Sequence, residues 1–276
     1  VAATAYYEVK ETLLKVENVN LTLGGKQILR NLDMEIKNLH RPGLTQGQVV
    51  ALLGPSGMGK TCLFRILAGL DKPDSGTVLV TQDQVPVQRG MVGVVAQHYP
   101  LFQHRTVLGN LIVAGRQAGC SSAEAKARGM DLLKRFALEG SEGKYPSQLS
   151  GGMRQRVAIA QQFMCSEHFL LMDEPFSGLD LLAIERVSQF VDEVASSDEM
   201  KTIVIVTHDV GAAIEVADQI WLLGRDRDEN GEPIPGARVQ HTYNLIERGL
   251  AWRHGVTSTP EYAELVREIR EVFPRL

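Results

Sequence analysis

The sequence predicts an α/β protein: a parallel sheet, an antiparallel β segment ahead of it, and a helical segment inserted within it. Three observations carry this. Val49–Leu53, Phe169–Met172 and Ile203–Val206 are short apolar runs bounded by turn residues, the pattern of strands buried on both faces. Each gives way to polar residues at its C-terminal edge, where parallel sheets place their ligands. Leu13–Leu23 and Gln27–Ile36 instead alternate in polarity about Gly24-Gly25, which reads as two antiparallel strands. Between Thr106 and Gln148 the texture changes again. Leu108, Leu111 and Ile112 take helical spacing and Ala123–Phe136 is rich in helix formers, so this stretch reads as helices set into the sheet.

The remaining elements follow in order. Asn38–Gln48 (NLHRPGLTQGQ) is a surface elaboration to which the sequence assigns no role. Asp74-Ser75-Gly76 is a turn leading into a strand at Thr77–Val80. After Leu223, GRDRDENGEPIPGAR is dense in Gly, Pro and charge and reads as a loop. A helix is expected from Pro260 to Phe273, with Pro260 in its first turn. Its Tyr262, Leu265, Val266, Ile269 and Val272 form an apolar face suited to packing on the core or on a dimer mate. A regulatory role for this tail is the alternative. No repeat or low-complexity tract interrupts the chain.

Bulk properties limit the function classes. A formal net charge of -4 gives no basic footprint for nucleic acid. The three cysteines, Cys62, Cys120 and Cys165, are too far apart in sequence for a C-x-x-C pair and read as free thiols of a reducing compartment. No apolar run reaches the roughly 18 residues that span a bilayer. VAATAYYEVKE lacks the basic-then-apolar pattern of a signal peptide. A cytosolic protein is expected.

Gly54-Pro55-Ser56-Gly57-Met58-Gly59-Lys60-Thr61 fits G-x-x-x-x-G-K-[ST] between the strand VVALL and the helical run KTCLFRILAG. Glycines let the backbone curl with its N–H groups pointing at an anion, and the helix N-terminus adds its dipole. Lys60 is then expected on the β- and γ-phosphates and Thr61 on Mg²⁺. A glycine-rich turn carrying a surface lysine is the alternative, disfavoured by the strand and helix on either side. By itself the motif says only that a nucleoside triphosphate is bound.

Leu149-Ser150-Gly151-Gly152-Met153-Arg154-Gln155-Arg156 narrows the class. It resembles the LSGGQ signature and following basic helix of ABC ATPases. Further matches stand in the family's order: Phe169–Pro175 resembles a Walker B strand with its glutamate, Ser177-Gly178-Leu179-Asp180 a D-loop, Val206–Asp209 an H-loop, and Gln97 the Q-loop glutamine. The resemblance covers residues 12 to 224. It implies a P-loop NTPase (RecA-like) core with an antiparallel β subdomain and a helical subdomain inserted at about 98–155, leaving 225–276 as a C-terminal loop and helical tail.

The resemblance also implies roles. Asp173 would hold Mg²⁺ through its water shell, Glu174 would polarise the attacking water, and His208 would contact the γ-phosphate. Gln97 would sense metal and water. In isolation the acidic pair reads equally as a solvated strand end before a proline turn, His208 as structural and Gln97 as a surface glutamine. Ser150, Gly151 and Gly152 leave N–H groups open at a helix start, which in the family faces the ATP held by a second subunit; the D-loop match implies nucleotide binding for Asp180 as well. Two ATPs are thereby buried in a head-to-tail homodimer or pseudo-dimer.

Two positions depart from the family. Leu23 stands where an aromatic residue usually stacks on adenine, with Tyr6 or Tyr7 as substitutes only if the N-terminus folds back. Cys62 replaces a second hydroxyl near the α-phosphate, unless it simply packs as a small apolar residue. Gln97–Phe102, His104 and Thr106-Val107 resemble importers of small polar solutes, as does GKYPSQLSGG. That implies an integral-membrane permease, a substrate-binding protein in the system and peripheral attachment to the inner face of the cell membrane. Tyr99, Leu101 and Phe102 are candidates for the groove that receives the permease, with core packing as their alternative. An exporter, or an ATPase of translation or DNA maintenance, is the competing class; one cassette, no heptad tract and no basic excess speak against the latter.

Overall fold

The computed structural model describes residues 7–40, 47–81, 83–96, 100–165, 169–177, 191, 202–251, 253 and 255–276. Strands β1 (Glu8–Leu23) and β2 (Lys26–His40) pair antiparallel. Gly24 and Gly25, at φ 56° and 75°, close the hairpin, because a two-residue turn matching strand twist needs left-handed backbone at both positions. β4 (Ser75–Val80) adds antiparallel to β1, and β5 (Val85–Pro86) to β4.

The three apolar runs become β3 (Gln48–Leu53), β7 (Phe169–Asp173) and β8 (Thr202–Thr207). With β6 (Gly93–Val95) and the first half of β9 (Gln219–Arg227) they form the parallel region. β10 (Pro233–Asn244) joins the two halves, so the described strands form one sheet in the order β5-β4-β1-β2-β10-β9-β3-β8-β7-β6. Alternation along β3 explains why it lacks a polar face. Val49, Ala51 and Leu53 enter one core, while Val50 and Leu52 enter the other.

Helix α1 (Lys60–Leu67) packs Leu63, Phe64, Ile66 and Leu67 into the core on the β1–β2 side. The opposite core is covered by α2 (Val107–Gln117), α3 (Ser122–Arg135) and α4 (Gly151–Phe163). Their starts are written locally: Thr106 accepts from the Gly109 N–H, Ser121 and Glu124 form a reciprocal capping box, and Ser150 accepts from the Met153 N–H. Asn110, fully buried, bonds the backbone of Phe102, Arg105 and Thr106 and so fastens the 100–106 turn onto α2.

One expectation is corrected. The segment 224–238, read as a loop, is the β9–β10 hairpin, and β9 runs through residue 224 unbroken. Only residues 228–232 form the turn, where Asp228 accepts from the Asn230 and Glu232 N–H groups; Arg225, Asp226, Arg227, Pro233, Pro235, Gly236 and Arg238 lie in the strands themselves. The charges also have partners: Asp226 receives Arg30 of β2 and Arg238 and Gln240 of β10. Beyond α5 (Val210–Val216), α6 (Pro260–Val272) buries Leu265 and Ile269 completely. Of the two settings expected for this helix, its apolar face takes the core. Arg248 fastens it, pairing with Glu268 through contacts of 2.6 and 3.2 Å and lying over the Tyr243 ring.

Candidate functional site

The loop between β3 and α1 is shaped by three glycines. Gly54 lies against β9: a Cβ there would sit 2.7 Å from the Leu223 carbonyl oxygen, which the sheet holds fixed. Gly57 and Gly59 have φ of 81° and 83°, and a Cβ on Gly59 would meet the Ile28 Cγ2 at 2.6 Å. No side chain caps α1, and its first turn carries no acidic group, so its leading N–H groups are open to an anion. Gly54→Ala must therefore displace backbone. It is expected to cost about 1–3 kcal/mol in overpacking, read as a lowered urea midpoint, and to weaken nucleotide binding along with it.

Lys60 folds back over this loop. Its Nζ donates to the carbonyls of Gly54 (2.6 Å) and Pro55 (3.1 Å). Burial lowers its pKa, against the opposing pull of Glu174 and Asp173. Asp173 closes β7, half-buried. Its pKa is raised, first by burial and then by the Glu174 charge, with Lys60 opposing. The shifts are complementary: a cation and a carboxylate share a small, partly dehydrated space.

Glu174 follows in a left-handed conformation, φ 47°, uncommon for a residue with a side chain. β8 holds it there. Its N–H donates to the Val206 carbonyl (2.8 Å), the Thr207 hydroxyl donates to its Oε2 (3.1 Å), and His208 Nδ1 lies 2.9 Å from both carboxylate oxygens. A carboxylate only accepts, so this contact places the ring proton on Nδ1. Register explains the meeting: Asp173 of β7 pairs with Val206 of β8, and Leu53 of β3 with Thr207.

A cleft of about 420 Å³ results, lined by Ser56, Gly57, Gly59, Lys60, Thr61, Cys62, Asp173 and Glu174, with Ile28 at the β2 side and Val206 at its floor. Most of the predicted loop residues and both carboxylates thus share one cavity, with His208 joined to it through Glu174. Gly54 and Pro55 contribute the carbonyls that hold Lys60, and Met58 packs partly buried against the β1–β2 core. Ile28 was missed by sequence reasoning. The signal available was its place five residues after Leu23, across the Gly-Gly turn. Leu23 itself is 51% exposed at the hairpin and does not line the cleft. Tyr7 is no substitute, since it sits at the other end of β1, bonded to Glu247 and Asn244; Tyr6 lies outside the described residues.

Ser150, Gly151 and Gly152 stand apart from the cleft, exposed at the start of α4, and a Cβ on either glycine would meet nothing within 4 Å. Nothing inside the described fold demands glycine there. Leu101 is buried in the core, as its alternative reading held, whereas Phe102 is exposed and touches His104 edge-on. Gln97, Tyr99 and Asp180 lie outside the described residues. Among the described residues, no group of three or more His, Cys, Asp or Glu is arranged to hold a metal. Asp173 and Thr61 are, with Ser56 and Glu174, among the side-chain oxygens that line the cleft, and two such donors fit an ion keeping most of its waters.

The sequence model of the ABC transporter family matches residues 40–177, half of the chain. The sulfate/thiosulfate import ATP-binding protein CysA of Gloeobacter violaceus is 39% identical over 266 residues, covering 94% of this chain and 74% of that protein. This chain belongs to the ABC transporter family. A CysA of Thermosynechococcus vestitus is also 39% identical, over 219 residues, but this ABC protein spans only 62% of that relative's length. Among solved structures, CbiO1 of Clostridium perfringens, part of the ABC transporter complex CbiONQ, superposes with a TM-score of 0.72 at 26% identity, covering 96% of this chain and 97% of its own. An ATP-binding cassette in a dimeric, post-hydrolysis state with ADP and Pi matches at a TM-score of 0.63 and 26% identity, over 84% of this chain and 99% of its own. The fold is thus the ABC form of the P-loop α/β core, with its antiparallel β region and helical insertion. No helix among the described residues is long and apolar enough to cross a membrane.

Proposed function

We propose that this ABC protein binds and hydrolyses ATP with Mg²⁺ between two head-to-tail subunits, and that the cycle drives solute import through a partner permease. The observation that carries the reading is the single cleft in which Lys60, Thr61, Asp173 and Glu174 converge beside an uncapped helix N-terminus. The loop N–H groups and Lys60 take the phosphates. Thr61 and Asp173 hold Mg²⁺, with Gln97 completing its surroundings. The ion and the triphosphate together offset the burial that now raises Asp173 and lowers Lys60. Glu174 orients the attacking water and His208 the γ-phosphate. Phosphoryl transfer needs chiefly such positioning and charge stabilisation. Cys62 lies against the phosphate side, and Ile28, in place of the Leu23 expected from the sequence, offers the base an apolar surface.

Ser150, Gly151 and Gly152, with Asp180, belong to the second half of a composite site. The support is that the glycines at the α4 start are open, with nothing among the described residues within 4 Å of a Cβ on either, and that a structural relative is a dimeric cassette with ADP and Pi. Import is supported by the relatives' names, and attachment to the inner face of the membrane follows from a permease partner. A substrate-binding protein completes an importer. The solute is chosen by those partners, since no residue of this cleft meets it. Residues 12–224 carry the cassette motifs, with the helical subdomain inserted; β9 and β10 continue past 224 within the same sheet, so the tail proper is the segment after β10 with α6.

Gly152→Asp tests the composite site. An acidic residue in the first turn of α4 favours the helix, so the melting temperature should hold or rise. The same charge opposes a γ-phosphate across the interface, so MgATP hydrolysis and ATP-driven dimerisation, followed by light scattering, should fall together. Undiminished turnover would overturn this arrangement.

A further inference from the structure

We infer that Thr207 is a positioning residue for Glu174, fixing its carboxylate through a hydroxyl whose own direction is set by the backbone of Asp209. The inference rests on the proposed role of Glu174 and goes beyond the groups that touch nucleotide or water.

The position makes the hydroxyl conspicuous. β8 reads Thr-Ile-Val-Ile-Val-Thr, and all six residues are buried, Thr207 completely. Valine has the same shape and suits a central strand at least as well. A hydroxyl in this setting costs free energy unless it is bonded, and here it has two partners. It accepts from the Asp209 N–H at 3.1 Å and donates to Glu174 Oε2 at 3.1 Å. A hydroxyl has one proton to give. Because the amide can only donate to the oxygen, that proton points at the carboxylate.

The geometry around it is rigid. Thr207 pairs with Leu53, the residue before the phosphate-binding loop. Asp209 caps α5 by accepting from the Ala212 N–H at 3.0 Å. Glu174 is held at its other end by the Val206 carbonyl, in a left-handed conformation that does not by itself fix the side chain. His208, mostly exposed at the rim, reaches both carboxylate oxygens and cannot select one. Thr207 bonds one oxygen only. It therefore orients the carboxylate with respect to the loop, leaving Oε1 to face the cleft when His208 turns toward a bound phosphate.

The test compares Thr207→Val, which deletes the hydroxyl and keeps the shape, with Thr207→Ser, which keeps it. Thr207→Ala is read beside them, so that a packing failure in one variant does not decide the matter. In the full-length protein with MgATP, Thr207→Val should lower kcat by roughly 10- to 100-fold, the scale of misplacing a reacting group. KM and ATP affinity should hold, and Thr207→Ser should recover kcat. A purely structural hydroxyl would instead lower the melting temperature of Thr207→Val and leave kcat per folded molecule unchanged. That result, or a serine variant as slow as valine, overturns the inference. Glu174→Gln is measured in parallel. If it hydrolyses ATP normally, the proposed role of Glu174 fails; if it is inactive while Thr207→Val is normal, only the positioning role fails.

Discussion

Glu174→Gln is expected to reduce ATP turnover by about 10²–10⁴-fold, the usual worth of a positioned general base, while nucleotide binding survives. The amide has the size and shape of the carboxylate and leaves the backbone anchor from the Glu174 N–H to the Val206 carbonyl untouched. It also retains an oxygen able to accept from Thr207. What disappears is the negative charge and the second accepting oxygen, the features needed to orient and polarise a water. With hydrolysis blocked, the ATP-bound dimer should accumulate, visible as an ATP-dependent doubling of mass by light scattering. A variant that turns over ATP within threefold of the unmodified protein would remove Glu174 from the chemistry.

Lys60→Met separates binding from stability. Lys60 is 9% exposed, and burial outweighs the attraction of Glu174 and Asp173 in setting its pKa below 10.5. Its charged form is thus less favourable in the folded protein than in the unfolded chain. The unfolded chain keeps the proton to higher pH, so this group adds stability as pH rises from the lowered folded value toward 10.5. Methionine fills the same space without charge. Nucleotide-free Lys60→Met should therefore melt no lower than the parent near neutral pH and should lack that alkaline rise. ATP affinity should fall by about 10- to 100-fold, since a charge-assisted hydrogen bond is worth roughly 1.5–3 kcal/mol and 1.4 kcal/mol is about tenfold. Isothermal titration and thermal melts read the two halves. Unchanged affinity would mean that Lys60 serves only the Gly54 and Pro55 carbonyls.

The sequence by itself determined the elements whose chemistry is local. Left-handed glycines and an uncapped helix start are written into Gly54–Thr61, the caps of the helical region into Thr106, Ser121 and Ser150, and the buried strands into runs such as Val49–Leu53. These depend on neighbours a few residues away, and residue type alone discloses them. Tertiary structure decided whatever depends on register between distant strands. The pairing of Asp173 with Val206 sets Thr207 and His208 on Glu174, a meeting that no periodicity within either strand contains. Ile28 enters the cleft and Leu23 does not because the hairpin lies across Gly59. The stretch from 224 to 238 became a hairpin because Asp226 found partners on β2 and β10. Local composition read that stretch as a solvated loop, since composition records charge but not the partner that folding brings to it.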